Sequence, residues 1–239
     1  MAWYEHFFEG DWLYVQRNFT TPEAAMVTAQ QVVALLGLRP GDAVLDVPCG
    51  AGRISAPLAA LGMRVVGVDR TPALLDDARA LGLEVHERDM RDLPWEGAFD
   101  AACNLWGSFG YLGEDGDEAF AAATCRALKP GGRFVIDVPG LETLLPTYTK
   151  RGWWKVADAL ILEDRDYDLT SGNMCNTWTI VRDGQASVRR SEIRIYSFPE
   201  LRRLLLRAGY ASVVGYGHVD GTPLALGKRL VVVATKPAP

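Results

Sequence analysis

The chain has 239 residues, 49% of them hydrophobic and 23% charged, with a formal net charge of −5. That is enough to bury the core of one large domain carrying an inserted subdomain. The acidic balance excludes the usual nucleic-acid binder, which leans on clustered Lys and Arg. The densest basic spots, Arg189-Arg190 and Arg202, Arg203 and Arg207, read as solvated faces.

No apolar run reaches membrane-span length, and Met1–His6 has neither a basic nor an apolar leader region. Cys49, Cys103, Cys125 and Cys175 show no C-x-x-C spacing, so buried free thiols in a reducing compartment are expected. The expectation is a cytoplasmic protein with no membrane partner, no bound metal, and a monomeric or homodimeric state.

In chain order, helical spacing of Ala25, Val32, Val33 and Leu36 predicts a helix over 22–37 behind Thr21-Pro22, stopped by Gly37. Strands follow at Ala43–Val47, Arg64–Val68, Leu83–His86, Phe99–Leu105 and Arg133–Val138, with helices at 53–61, 72–80 and 116–128 between them. This alternation predicts a parallel sheet with helices on both faces. After Pro139 the rhythm changes. Residues 160–197 read as three long strands broken at Thr170-Ser171-Gly172 and Asp183-Gly184, both hairpin signals. A helix over Glu200–Ala208 and strands near Ser212–Tyr216 and Leu230–Ala234 resume the main sheet. The predicted architecture is therefore residues 1–149 plus 198–239 as an α/β domain, with 150–197 as an inserted antiparallel β-subdomain.

The most informative segment is Val44-Leu45-Asp46-Val47-Pro48-Cys49-Gly50-Ala51-Gly52-Arg53. A strand ends in a carboxylate, turns through two glycines and enters a helix, as at an adenosine-cofactor crevice. The third glycine of the dinucleotide fingerprint is replaced by Ser55. A pyrophosphate seeks helix N–H groups and no carboxylate beside it, whereas a ligand with an ammonium and a sulfonium welcomes Asp46. The loop favours S-adenosylmethionine over NAD.

Together with Val66–Asp69, Arg88-Asp89-Met90, Phe99-Asp100, Trp106–Tyr111 and Leu128–Arg133, this order of motifs resembles the class I S-adenosylmethionine-dependent methyltransferases. The resemblance implies a Rossmann-like seven-stranded sheet, and the insertion resembles the β-lid of small-molecule members. Pro48 departs from the commonest pattern, which has glycine there.

The resemblance implies roles for individual residues. Asp46 meets the methionine amino group, and Cys49, Gly50, Ala51 and Gly52 form the loop beneath it. Asp69, with Arg70 beside it, meets the ribose hydroxyls. Asp89 and Met90 read the adenine, and Asn104, Leu105 and Trp106 leave strand four between cofactor and acceptor. Tyr14 and Arg17 are candidates for the methionine carboxylate. Each has a plainer reading: Asp46 as a loop cap, Asp69 as a helix cap, Asp89 as a surface acid, Tyr14 and Arg17 as packing residues.

Trp106, Phe109, Tyr111, Trp178, Arg194, Tyr196 and His218 are the candidates for the acceptor pocket, with Trp178, Arg194 and Tyr196 alternatively forming the lid's own core. His218 and Tyr111 are the candidate general bases. The signature for exocyclic nucleobase amines is missing from Asn104–Tyr111, which points to a small-molecule acceptor. The expected function is methyl transfer to nitrogen or oxygen of such a molecule. The alternatives are a non-catalytic cofactor-binding or regulatory protein and, less so, a nicotinamide oxidoreductase.

Overall fold

The computed structural model describes residues 2–238. A short 3-10 turn, Trp3–Glu5, leads into α1 (Asp11–Asn18) and α2 (Pro22–Leu36). The Thr21 hydroxyl accepts the Ala24 N–H at the start of α2, and Gly37 closes it in the left-handed conformation that glycine adopts without cost.

The main sheet is built from β1 (Ala43–Asp46), β2 (Arg64–Asp69), β3 (Glu84–Glu87), β4 (Phe99–Asn104), β5 (Leu128–Val138), β10 (Ser212–Tyr216) and β11 (Leu230–Thr235). Helices α3 (Ser55–Ala60), α4 (Pro72–Ala80), α5 (Gly113–Ala127) and α7 (Phe198–Arg207) connect or flank these strands. The order across the sheet is β10-β11-β5-β4-β1-β2-β3. The first five strands run parallel, and β11 enters antiparallel between β5 and β10. Strand order reverses between β1 and β4. Ligands of open α/β sheets lie at such a switch point, outside the strand carboxyl ends.

Two apolar layers sandwich the sheet, as its parallel part requires. One centres on Leu45, Ala102, Phe120, Phe134, Ile136, Leu201 and Leu205. The other joins Val32 and Leu36 of α2 to Val44, Leu58, Ala101 and Val135.

After α6 (Leu141–Thr147) the insertion forms its own antiparallel sheet, β6 (Arg151–Val156), β7 (Ala159–Asp168), β8 (Asn173–Arg182) and β9 (Gln185–Arg194). The sequence reading gives three strands here; the structure has four. The two expected hairpins are present, and a third, at Ala157-Asp158, brings β6 onto β7. One face of this lid packs Val156, Ala159, Ile161 and Ile180 against Phe7, Trp12 and Val15 of the N-terminal segment. No helix among the described residues is long and apolar enough to cross a membrane.

Candidate cofactor and acceptor site

The carboxyl ends of β1, β2 and β4 open into a cleft of about 960 Å³, the open solvent at its mouth included. Asp46, Cys49, Gly50, Asp69, Arg70, Asp89, Met90, Leu105, Trp106 and Tyr111 all line it. The loop between β1 and α3 makes its floor. The Val47–Pro48 peptide there is cis, and Gly50 and Gly52 have positive φ. Gly67 on β2 lets the loop settle, because a Cβ there would stand 2.7 Å from Cys49 Sγ.

Asp46 is 3% exposed and accepts the Ser55 hydroxyl at 2.5 Å. Ser55, in place of a third glycine, is thus the anchor of this carboxylate. Burial pushes Asp46 up to about 7, against the Ser55 hydrogen bond and with the Asp69 charge adding to it. Asp69 accepts the Gly50 N–H at 2.9 Å through one oxygen and the Thr71 N–H at 2.8 Å through the other. Asp69 also lines the cleft, so the helix-capping and ligand-facing readings of Asp69 are compatible. Burial raises this group too, while the Thr71 and Gly50 amides pull it down. Asp89 is clamped by Arg91 Nε and Nη2 at 2.8 Å and by the Arg91 N–H, and the guanidinium holds it below the ordinary range.

Arg53 was not among the expected site residues. It lines the cleft with its guanidinium 4.4 Å from the Trp106 ring centroid, Nη2 donates to Gln16 at 3.0 Å, and the buried Nη1 has no partner. Such an unpaired cationic donor calls for an anion. Trp106 carries φ 71°, an uncommon strain for a non-glycine residue that clusters at functional sites. Tyr4, Phe8 and Gln16 complete the cover from the N-terminal segment, with Arg70 over the Tyr4 ring at 5.1 Å and 3.7 Å from Glu5.

Several expected residues lie elsewhere. Tyr14 donates to Asp158 and sits under Arg182, at 4.0 Å. Arg17 pairs with Asp77 at 2.7 Å. Ala51 and Gly52 are in the loop but not in the lining, and Gly52 abuts Leu83 and Ala78. Asn104 is fully buried and donates to the Val47 carbonyl, tying β4 to β1.

Phe109 is a core residue against Phe120 and Tyr196. Tyr196 donates to the buried Asp117 at 2.8 Å. Arg194 stacks over Tyr196 and is occupied by Glu200 at 2.8 Å and by the Gly172 and Ile195 carbonyls. His218 is half exposed beside Asp220, outside the cleft lining. Trp178 faces the N-terminal segment, 5.0 Å from Trp12, and donates to Ser191.

The lid nevertheless reaches the cleft through aromatic contacts. Trp106 touches Phe19, Phe19 touches Trp154, and Trp154 touches Trp178, with centroids at 5.7, 5.9 and 6.4 Å. Glu163, 7% exposed, lies on the same inner face, accepting from Trp154 Nε1 at 2.7 Å and from Arg165.

The set of groups around the cleft suits S-adenosylmethionine. Asp69 offers carboxylate acceptors for vicinal hydroxyls, Asp46 one for an ammonium, Arg53 an unpartnered donor for a carboxylate, and Trp106 and Tyr111 ring faces for a sulfonium.

Comparison with known proteins agrees. Residues 44–132 match the family described as "Methyltransferase domain". A protein-L-isoaspartate O-methyltransferase of Methylorubrum populi is 38% identical over 130 residues, covering 51% of this chain and 57% of that protein. The chain spans about half the length of the first curated relatives it matches. Among solved structures, the CcbJ methyltransferase of Streptomyces caelestis aligns over 92% of this chain and 98% of its own, with a TM-score of 0.77 and 22% identity. An S-adenosylmethionine-bound amino pentose methyltransferase from Micromonospora echinaspora aligns over 97% and 99%, with a TM-score of 0.72 and 21% identity. Residues 44–132 thus match a methyltransferase domain, in a chain that has the fold of S-adenosylmethionine-dependent methyltransferases.

Proposed function

We propose that this chain transfers the methyl group of S-adenosylmethionine to the nitrogen of a small-molecule amine. The observation that carries the choice of nitrogen is what the cleft offers as a base: among the described residues no histidine lines it, and in this reading its buried carboxylates Asp46 and Asp69 are taken by the cofactor's ammonium and ribose. Tyr111 lines it, but burial pushes its phenol up to about 12. At neutral pH it is a hydrogen-bond donor and not a proton acceptor. Burial raises the Cys49 thiol as well. A hydroxyl or carbon acid needs its proton removed before or during transfer, whereas a neutral amine attacks with its own lone pair.

The bound cofactor supplies an already activated methyl group. The chain's residues supply alignment and exclusion of water. Asp69 would accept the ribose hydroxyls, Asp89 and Met90 would flank the base, and Asp46 would accept from the ammonium. Arg53, held by Gln16, would take the carboxylate in place of Arg17. Trp106 and Tyr111 would wall the reacting end. The likeness to the amino pentose methyltransferase, which spans the lid as well as the sheet, supports this reading.

A screen of amines and matched alcohols with a labelled methyl donor tests it. Label on amines only is the expected result. Label on alcohols alone would overturn the choice of nitrogen, and cofactor binding without transfer to any acceptor would favour a regulatory role.

A further inference from the structure

The loop from Trp106 to Leu112 carries three residues of the cleft lining, Ser108, Tyr111 and Leu112, besides Trp106 itself. It has no regular structure, so something other than helix or strand bonds must fix it. The fixing group is Asp117, on the second turn of α5 and 1% exposed. Its Oδ1 accepts the Gly110 N–H at 3.2 Å and the Leu112 N–H at 3.3 Å, and its Oδ2 accepts the Tyr196 hydroxyl at 2.8 Å.

The same loop is stitched to the end of the lid. The Gly110 carbonyl accepts the Arg194 N–H at 2.9 Å, and the Ile195 N–H donates to Gly172. Gly110 has φ +106°, and a Cβ there would lie 2.3 Å from the Arg194 carbonyl oxygen. Only glycine permits so close an approach. Asp117 therefore stands where three segments meet: α5, the cleft loop and the exit from β9. Asp117 is not in the cleft lining, so any effect on the reaction passes through the loop.

We propose that Asp117 is a positioning residue for methyl transfer, holding the Gly110–Leu112 backbone against the end of the lid and so setting where Tyr111 and Leu112 face the cofactor. A buried carboxylate is a costly choice for packing alone, because each charge taken from water must be compensated. Here burial raises the group to about 6, while Tyr196 and the Leu112 and Gly110 amides hold it down. Three donors converge on one acceptor from two different segments. A change in how the lid seats would thereby reach Tyr111.

The inference rests on the cleft being a cofactor site, and its test separates the two. The probe is S-adenosylhomocysteine, titrated by calorimetry into the wild type, Asp117→Ala, Asp117→Asn, Tyr196→Phe and Thr124→Ala. Thr124 is a buried α5 residue whose hydroxyl bonds only within its helix, to Phe120, and it serves as a stability control. Amide hydrogen exchange over residues 105–112 is read in parallel.

Asp117→Ala is expected to weaken binding about tenfold or more, to speed exchange in 105–112, and to leave β1–β2 protection intact. Asn keeps the Oδ1 acceptor and can donate to the tyrosine oxygen, so Asp117→Asn is expected within about threefold of wild type. Tyr196→Phe should fall between them, and Thr124→Ala should lower stability without changing affinity. Should Asp117→Ala not fold, Tyr196→Phe carries the test: faster loop exchange with weaker binding supports the proposal. Unchanged exchange in a folded variant, or loss of affinity in Thr124→Ala equal to that of Asp117→Ala, overturns it. Failure of the wild type to bind the probe would sink the methyltransferase reading instead, and loop exchange would still report whether Asp117 holds the loop.

Discussion

Asp69 shows how a single side chain serves the fold and the ligand together. The Gly50 and Thr71 amides fix the plane of its carboxylate before any ligand arrives, so hydroxyls meet an acceptor that needs no reorganisation. Asp69→Ala is expected to weaken S-adenosylhomocysteine binding by about 1.5–3 kcal/mol, the range for hydrogen bonds to a charged group. Calorimetry checks it, and normal binding would reduce the carboxylate to a loop and helix cap.

Arg53→Gln should weaken the same ligand by about 1.5–3 kcal/mol if it holds the carboxylate. It should affect a decarboxylated analogue far less, and equal losses for both ligands would mean that the arginine only packs on Trp106. Asp46 adds a pH dependence. Burial raises its pKa to about 7, so the folded chain holds a proton that the unfolded chain has lost above pH 4. Stability therefore falls as pH rises from about 4 to about 7. Binding an ammonium requires the ionised carboxylate, so affinity should climb up to about pH 7. It should fall again above about pH 8, where an α-amino group ordinarily loses its proton. A flat affinity profile from pH 5.5 to 7 would show that Asp46 does not meet the charge.

At the scale of elements, what was legible in sequence was whatever local patterning determines. The glycine loop, the carboxylates closing β1 and β2, and helix α4 over Pro72–Ala80 follow from spacing and punctuation. Strand β6 did not, because Trp153-Trp154 places one large ring on each face and erases the alternation that marks a strand. Arg53 and Gln16 were missed for another reason. They are 37 residues apart in sequence, and nothing local shows that α1 will lie over the loop.

Arg194 was expected on the acceptor side. The two-residue spacing to Tyr196 does bring the pair together, but the guanidinium is already engaged by Glu200, which itself closes a capping box with Ser197 at the start of α7. Arg194→Ala should consequently lower stability by about 1–2 kcal/mol and change cofactor affinity by no more than a few-fold. A urea midpoint unchanged from wild type would argue that the ion pair contributes nothing and would return Arg194 to the acceptor side.

For the molecule as a whole, the strand order puts the ligand-binding edge at the β1–β4 switch point, and the N-terminal segment covers it. Residues 2–19 do more than connect. Trp3 packs on Tyr111 at 4.8 Å, Phe7 on Trp12 at 4.6 Å, and Tyr4 and Phe8 face the cleft. Partly exposed ion pairs, Arg70 to Glu5 and Arg17 to Asp77, tie this segment to the main domain, and pairs of this kind contribute about 1 kcal/mol or less. Rings that also border the ligand space thus help to hold the cover, which suits a segment that lifts for exchange and settles on a bound cofactor. Two measurements follow from this. Amide exchange over residues 3–19 should slow when S-adenosylhomocysteine binds, although most of these amides never touch the ligand. Phe8→Ala should raise the ligand's dissociation rate more than it lowers the association rate, because the ring closes the cleft only after entry. An N-terminal segment that exchanges equally fast with and without ligand would instead make it a permanent wall, and the route of cofactor entry would then have to pass beneath the lid.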